Sequence, residues 1–136
     1  MTDSGPRPAT TLTVTIDVPP GEVYAFVADL SNLPRWSFFE AADEDASGWK
    51  VTTSGGESRL RLSPPNEFGV LDHHVITPAG SEIYIPMRVV ANGTGSEVIF
   101  TVYRMPGMSD DAYAADVAQV EVDPAELKRI LETGDG

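Results

Sequence analysis

The sequence contains no cysteine among its 136 residues, which excludes disulfides, thiolate catalysis and cysteine metal clusters. It also lacks any run of about 18 apolar residues, the length that a membrane-spanning helix requires. The first ten residues, MTDSGPRPAT, include no hydrophobic stretch and do not resemble a secretory signal. We therefore expect a disordered polar tail over residues 1–9, a single domain over residues 10–133 and a cytoplasmic location.

Basic residues are scarce, with 9 Lys and Arg against 21 Asp and Glu, and the formal net charge is −12. Nucleic acids bind to basic surfaces because the phosphate backbone is anionic, so this balance argues against a nucleic-acid partner. The same balance disfavours anionic membrane surfaces. We interpret the acidic excess as a feature that keeps the chain in solution.

The apolar pattern predicts one strand, two short helices and six further strands. Residues 11–18, TLTVTIDV, alternate between apolar and polar side chains, which indicates a half-buried strand. The next segment has helical spacing, and SNLPRW, residues 31–36, indicates a very short helix capped by Ser31. Turn residues separate most of the predicted strands, which lie at about 36–43, 48–53, 57–63, 67–76, 81–90 and 96–104.

The C-terminal segment predicts one long helix that begins near Ser109. Its apolar residues form a single stripe at spacings of three and four: Tyr113, Val117, Val120, Pro124, Leu127 and Leu131. Pro124 is expected to kink the helix because proline removes a hydrogen bond and clashes with the preceding turn. The stripe keeps its phase across Pro124, which favours one helix, although two abutting helices remain an alternative.

Several of these segments resemble the START-like, or SRPBCC, superfamily, which includes the polyketide cyclase/dehydrase-like proteins. The resemblance covers residues 10–133 and is carried by VPPGEVYAFVADLSNLPRW, FGVLDHHV, IPMRVV, GSEVIFTVYRMPGMS and LKRILE. It implies an α+β helix-grip fold, in which a seven-stranded curved antiparallel sheet wraps around the long C-terminal helix. It also implies a deep apolar cavity and no cofactor, and a homodimer is left open.

Two turns set the register of the last strands. TPAGS, residues 77–81, suits a type I turn with a glycine bulge, so His73 faces Ile85 and His74 faces Tyr84. NGTG, residues 92–95, suits a type II′ turn, so Met87 faces Phe100. Extending both registers gives one inner face, which carries Leu71, His73, Val75, Ile83, Ile85, Met87, Val89, Val98, Phe100, Val102 and Arg104. Asp72, His74, Thr101 and Tyr103 fall on the opposite face with Tyr84 and Arg88.

His73 and His74 therefore point to opposite faces, and no metal site is predicted because one ion cannot be bound by both rings. His74 is expected in a surface ladder with Tyr84 and Tyr103. His73 is either a wall residue satisfied by water or backbone, or a polar group aimed at a ligand and the only candidate acid or base. Arg104 is either a second ligand contact or the partner of a carboxylate on the last helix, namely Asp110, Asp111 or Asp116.

The leading hypothesis is a protein that binds a small hydrophobic molecule of lipid, polyketide or aromatic type in a cavity between the sheet and the last helix. The candidate ligand-binding residues are His73, Arg104, Trp36, Phe38, Ile85, Met87, Phe100, Tyr113 and Val117. One alternative is a polyketide cyclase- or dehydratase-type enzyme in which His73 moves the proton. A second alternative is a protein-interaction module of the chaperone-regulator or toxin-like type, which requires an exposed apolar patch.

Overall fold

A computed structural model describes residues 5–134 and has an α+β architecture with a long C-terminal helix. Part of the expected N-terminal tail, residues 1–4, lies outside the described residues. The chain begins with strand β1 (Ala9–Ile16), helix α1 (Pro20–Ala28), a 3-10 turn (Leu30–Asn32) and helix α2 (Leu33–Trp36). Seven strands and one helix follow: β2 (Ala41–Asp45), β3 (Gly48–Thr53), β4 (Gly56–Leu62), β5 (His73–Ile76), β6 (Glu82–Ile85), β7 (Met87–Asn92), β8 (Gly95–Tyr103) and α3 (Asp110–Thr133).

The strands form two antiparallel sheets rather than one. The smaller sheet has the order β1-β8-β7, and the larger has the order β2-β3-β4-β5-β6. The prediction of a single seven-stranded sheet is therefore wrong in strand number, since the described residues contain eight strands. The predicted strand at 81–90 is divided at Pro86 into β6 and β7, because a proline has no N–H to donate to a ladder.

Two other predicted strands are shorter than expected. Trp36 ends α2, so the strand predicted at 36–43 begins only at Ala41. The strand predicted at 67–76 is reduced to β5, preceded by an isolated bridge between Val70 and Arg88. Gly69 permits this close approach, because its φ is 72° and the Cβ atom of any other residue would clash with the Val89 carbonyl oxygen.

Both hairpin registers are confirmed where the strands pair. His73 lies opposite Ile85, His74 opposite Tyr84, and Met87 opposite Phe100. Beyond Met87 the two strands β6 and β8 form no ladder and belong to different sheets, but the Tyr84 and Tyr103 rings stack on each other as the extended register places them. The place of Arg104 on the inner face stays a prediction. On the β1 side of β8, the Arg104 backbone N–H donates to the Pro8 carbonyl oxygen at 2.9 Å.

Helix α3 runs continuously through Pro124, as the phase of the apolar stripe predicts. The Ser109 hydroxyl accepts from the Ala112 N–H at 3.1 Å, and Gly134 ends the helix in the left-handed conformation with φ 76°. Its closest neighbours are β1, β8 and α2. No helix within residues 5–134 is long and apolar enough to cross a membrane.

The packed core lies between the sheets and the second half of α3. Leu127 has no accessible surface and Ile130 is 4% exposed, and both belong to a core cluster with Ile16, Val23 and Val51. The start of α3 differs, since Tyr113 and Val117 of the same stripe are partly exposed and do not belong to the residues packed against this cluster, whereas Val120 and Leu131 do. The helix face is thus sealed at one end and open at the other.

Candidate functional site

The two histidines lie on opposite faces of the larger sheet, as predicted. The rings of His74 and Tyr84 stack with centroids 4.9 Å apart, and Tyr84 and Tyr103 continue the row at 6.4 Å. The His74 Nδ1 atom also lies 3.4 Å from a Glu82 carboxylate oxygen. Within residues 5–134, no group of three or more His, Asp or Glu side chains is arranged to hold a metal ion.

His73 is the first residue of β5, and its side chain lies on the inner face, partly buried. Its Nδ1 atom is 2.9 Å from the Leu71 carbonyl oxygen, a contact in which Nδ1–H donates. Burial lowers the pKa of the ring, and the Leu71 carbonyl and the Asp72 charge oppose burial only in part. The lowered pKa favours the neutral ring, and in that ring the Leu71 carbonyl oxygen places the proton on Nδ1 and leaves a lone pair on Nε2.

The opposite side of the same strand end carries an ion-pair network built on Asp72, which is 9% exposed. Its carboxylate accepts from Arg88 Nε at 2.9 Å and Nη2 at 2.7 Å, from Met87 N–H at 2.9 Å and from Tyr84 Oη at 3.0 Å. The Arg88 guanidinium is the main cause that lowers the pKa of Asp72 to about 2. These contacts join β5 to both β6 and β7 around Pro86.

The sequence analysis placed Asp72, Tyr84 and Arg88 on one face and gave Tyr84 a place in the ladder with His74, but it predicted no ion-pair network among the three. A signal was present, because the predicted register sets Asp72 opposite Pro86, the residue that cannot complete a ladder. An acidic side chain at that position can accept the neighbouring Met87 N–H instead. The network has a structural role, since all four hydrogen bonds to the Asp72 carboxylate come from residues of β6 and β7 and hold these strands to the start of β5.

Arg104 lies at the connection between β8 and α3. Its guanidinium donates to the Met108 carbonyl oxygen, from Nε at 3.2 Å and from Nη2 at 2.9 Å, and it forms an ion pair with Asp110. This is the carboxylate partner that the sequence offered as the alternative to a ligand contact. The guanidinium thus fixes the start of α3, and it is not brought together with His73 in one strand ladder.

Three of the candidate ligand-binding residues are sealed in the core. Met87 has no accessible surface, and Trp36 and Phe100 are each 6% exposed. A side chain without accessible surface touches no space that a water molecule can enter. Trp36 has one further property, since its buried Nε1 atom has no hydrogen-bond partner in the described part of the chain.

The other candidates are accessible. Ile85, Tyr113 and Val117 are partly exposed, and Phe38 is 52% exposed with its ring stacked on Phe39 at 4.4 Å. The Tyr113 hydroxyl is 2.6 Å from the Thr10 hydroxyl and 3.3 Å from the Val102 carbonyl oxygen. These partly exposed residues and His73 lie on β5, β6 and the first half of α3. We call the following set the open wall: His73, Ile83, Ile85, Tyr113 and Val117.

Two grooves lie elsewhere on the surface. One of about 440 Å³ is lined by the start of α1, residues 66–69 and residues 89–91. The other, of about 310 Å³, is lined by Gly5, Arg7, Glu82, Tyr84, Tyr103 and Met105. Neither groove includes a residue that the sequence predicted for the ligand site.

No protein-family model matches the chain, and no curated protein matches it in sequence. Solved structures with a similar fold do exist. XoxI from Bacillus cereus is 15% identical with a TM-score of 0.73, over 94% of this chain and 98% of that chain. A START superfamily protein from Mycobacterium smegmatis is 11% identical with a TM-score of 0.73, over 91% and 97%.

CalU16 from Micromonospora echinospora is 17% identical with a TM-score of 0.68, over 99% of this chain and 80% of that chain. At such identities the likeness concerns the fold. The resemblance read from the sequence is confirmed at that level, and the chain has the START-like fold.

Proposed function

We propose that this protein binds a small, largely apolar molecule at the open wall, between the first half of α3 and the inner face of β5 and β6. The observation that carries the proposal is the uneven burial of one helix stripe. Leu127 and Ile130 are sealed, whereas Tyr113 and Val117 are partly exposed although they continue the same face. Inward apolar surface that remains accessible is what an apolar ligand can cover.

The START-like fold supports the same function, because the sequence resemblance to that superfamily implies a ligand cavity under the C-terminal helix. A START superfamily protein is among the structures that share the fold. The ligand class that follows is a lipid, polyketide or aromatic molecule of modest size. The single domain over residues 10–133, the cytoplasmic location and the homodimer stay predictions.

The proposal is tested with prodan, a neutral naphthalene dye whose emission shifts to the blue in apolar surroundings. We expect the dye to bind the wild-type protein and to raise its melting temperature, because a ligand of the folded state alone stabilises it. Val117→Trp fills the space at the open wall and should abolish both effects. Val122→Trp is the matched control, since Val122 lies on the same helix but is 60% exposed to solvent.

If prodan binds equally well to Val117→Trp and to the wild type, the ligand does not occupy the open wall. If it does not bind the wild type at all, the proposal of an apolar ligand is wrong for this class of molecule. Binding that only Val122→Trp removes would move the site to the outer side of α3.

A cyclase- or dehydratase-type enzyme is the second candidate, and one observation favours it. The Nδ1–H of His73 donates to the Leu71 carbonyl oxygen, and the Nε2 atom has no protein partner among residues 5–134, so its lone pair can accept a proton. Burial also lowers the pKa of the ring and so makes this nitrogen a weaker base. We therefore prefer the binding function to the enzymatic one. Proton exchange from an activated carbon of a bound ketone, lost in His73→Phe, would reverse that order.

A further inference from the structure

We propose that His73 makes the site selective for neutral molecules that carry a hydroxyl or another hydrogen-bond donor. The inference rests on the proposed binding function and adds to it the polar chemistry of the ligand. The inference follows from the hydrogen-bond partners of the polar side chains among the candidate site residues, because only a polar atom without a protein partner is available to a ligand.

The tautomer of His73 is fixed by the backbone. Its Nδ1–H donates to the Leu71 carbonyl oxygen at 2.9 Å, so the remaining ring nitrogen, Nε2, carries a lone pair. The Leu71 carbonyl is itself held in place, because the Leu71 N–H donates to the Met87 carbonyl oxygen at 2.8 Å. The unpartnered Nε2 atom of His73 is therefore a hydrogen-bond acceptor, and the bond from Nδ1–H to the Leu71 carbonyl oxygen holds the ring that carries it in one orientation.

The other polar candidates are already engaged. The Arg104 guanidinium binds the Met108 carbonyl oxygen and Asp110, and the Tyr113 hydroxyl binds Thr10 and the Val102 carbonyl oxygen. The unpartnered Nε1 atom of Trp36 has almost no accessible surface, so an incoming ligand does not reach it without a rearrangement of α2. His73 is thus the accessible polar contact among the predicted site residues.

No cation is offered to an anionic ligand. All nine Lys and Arg residues of the sequence lie within the described range, and none of them belongs to β5 or β6. A carboxylate at the open wall would meet the lone pair of Nε2 within a chain of net charge −12. A phenol or alcohol would instead donate to Nε2, and its apolar body would cover Ile85, which lies opposite His73 in the ladder.

The test compares three naphthalenes of similar size in their ability to displace prodan. 2-Naphthol donates a hydrogen bond, 2-methoxynaphthalene only accepts one, and 2-naphthoate is an anion at pH 7. The measured quantity is the ratio of the dissociation constants of 2-methoxynaphthalene and 2-naphthol, which removes effects common to both. We expect His73→Phe to lower this ratio about fivefold to tenfold, because a net hydrogen bond accounts for such a factor. 2-Naphthoate should bind most weakly of the three.

Tyr103→Phe is the matched control, because it also deletes a side-chain polar atom, but one on the opposite face of the sheet, where the Tyr103 ring stacks on Tyr84. It should leave the ratio unchanged. His73→Leu provides a second variant if His73→Phe does not fold, and the ring ¹⁵N spectrum gives an independent reading. The Nε2 resonance of the wild type should shift with 2-naphthol and not with 2-methoxynaphthalene.

A ratio that is the same in the wild type and in both His73 variants would overturn the inference, while the proposed binding function would stand if prodan still binds. Preferential binding of 2-naphthoate would overturn it as well. If neither prodan nor any of the three naphthalenes binds the wild type, the proposed function fails and the inference fails with it.

Discussion

The two faces of the sheet at residues 72 and 73 contrast in how far their polar atoms are satisfied. On the outer face, the Asp72 carboxylate receives four donors from three residues. On the inner face, one step along the chain, the His73 ring has one partner and one free nitrogen. A saturated polar group fixes the structure around it, whereas an unsaturated one at an accessible wall is available to a ligand.

This difference teaches why the two residues should respond differently to mutation. Asp72 joins three strands at the position where Pro86 interrupts the ladder, so its loss leaves an arginine and a backbone N–H without their partner. His73 has a local contact to Leu71, two residues earlier on the same segment. Its removal should therefore change ligand recognition far more than stability.

Asp72→Ala should have the largest effect on stability. We expect the free energy of unfolding to fall by about 2–4 kcal/mol, because the change leaves the Met87 N–H and the Arg88 guanidinium unpaired. Urea unfolding followed by tryptophan fluorescence measures it. Asp43→Ala on β2 is the control, since Asp43 is exposed, and its change should stay within about 0.5 kcal/mol. Equal losses in the two variants would show that the network does not hold the strands together.

The loss of stability at low pH measures the contribution of the ion pair between Asp72 and Arg88. Asp72 has a pKa of about 2 in the folded protein and an ordinary value of 3.8. Because the folded pKa is depressed, the stabilisation is present above pH 4 and is lost as the pH falls from 4 to 2. We expect about 1–2 kcal/mol, which allows for the half-exposed Arg88. The difference between wild type and Asp72→Asn should shrink over this interval, and a constant difference would contradict the assignment.

The contrast also explains what could be predicted from the sequence. The pairing of His73 with Ile85 follows from local turn chemistry, and Gly80 and Gly93 have the positive φ values, 87° and 59°, that the two turns require. The division of the predicted strand at Pro86 could not be derived in the same way, because it does not follow from local turn chemistry. It depends on a contact with a residue distant in sequence, since the Met87 N–H donates to the Asp72 carboxylate.

The candidate site was predictable only in part for similar reasons. The periodicity of α3 identifies its inward face, and Tyr113, Val117 and Leu127 do share that face. Periodicity does not give the distance to the opposite sheet, so it could not distinguish the sealed half from the open half. For Arg104 the sequence left two roles open, a ligand contact or a carboxylate partner on α3, and only the folded connection between β8 and α3 brings Asp110 to its guanidinium.

Tyr84→Phe should produce a smaller change on the outer face. It removes one donor to Asp72, at 3.0 Å, and keeps the ring between His74 and Tyr103. The expected loss in the free energy of unfolding is about 1 kcal/mol, the usual net value of one hydrogen bond. Tyr103→Phe retains the same stacking and deletes a hydroxyl outside the Asp72 network, so it should change stability less. The reverse order would mean that the hydrogen bond from the Tyr84 hydroxyl to Asp72 contributes little to stability.

His73→Phe should have the smallest effect on the free energy of unfolding, within about 1 kcal/mol in either direction. The variant loses the contact to the Leu71 carbonyl oxygen, which costs about 1 kcal/mol, and it gains apolar surface at a partly buried position, which offsets that cost. Urea unfolding without ligand measures it, and prodan should still raise the melting temperature because the apolar wall is intact. A loss as large as that of Asp72→Ala would show that the inner face depends on His73 for its structure. The free nitrogen would then be a by-product of a structural contact, and the contrast between the two faces would no longer separate recognition from stability.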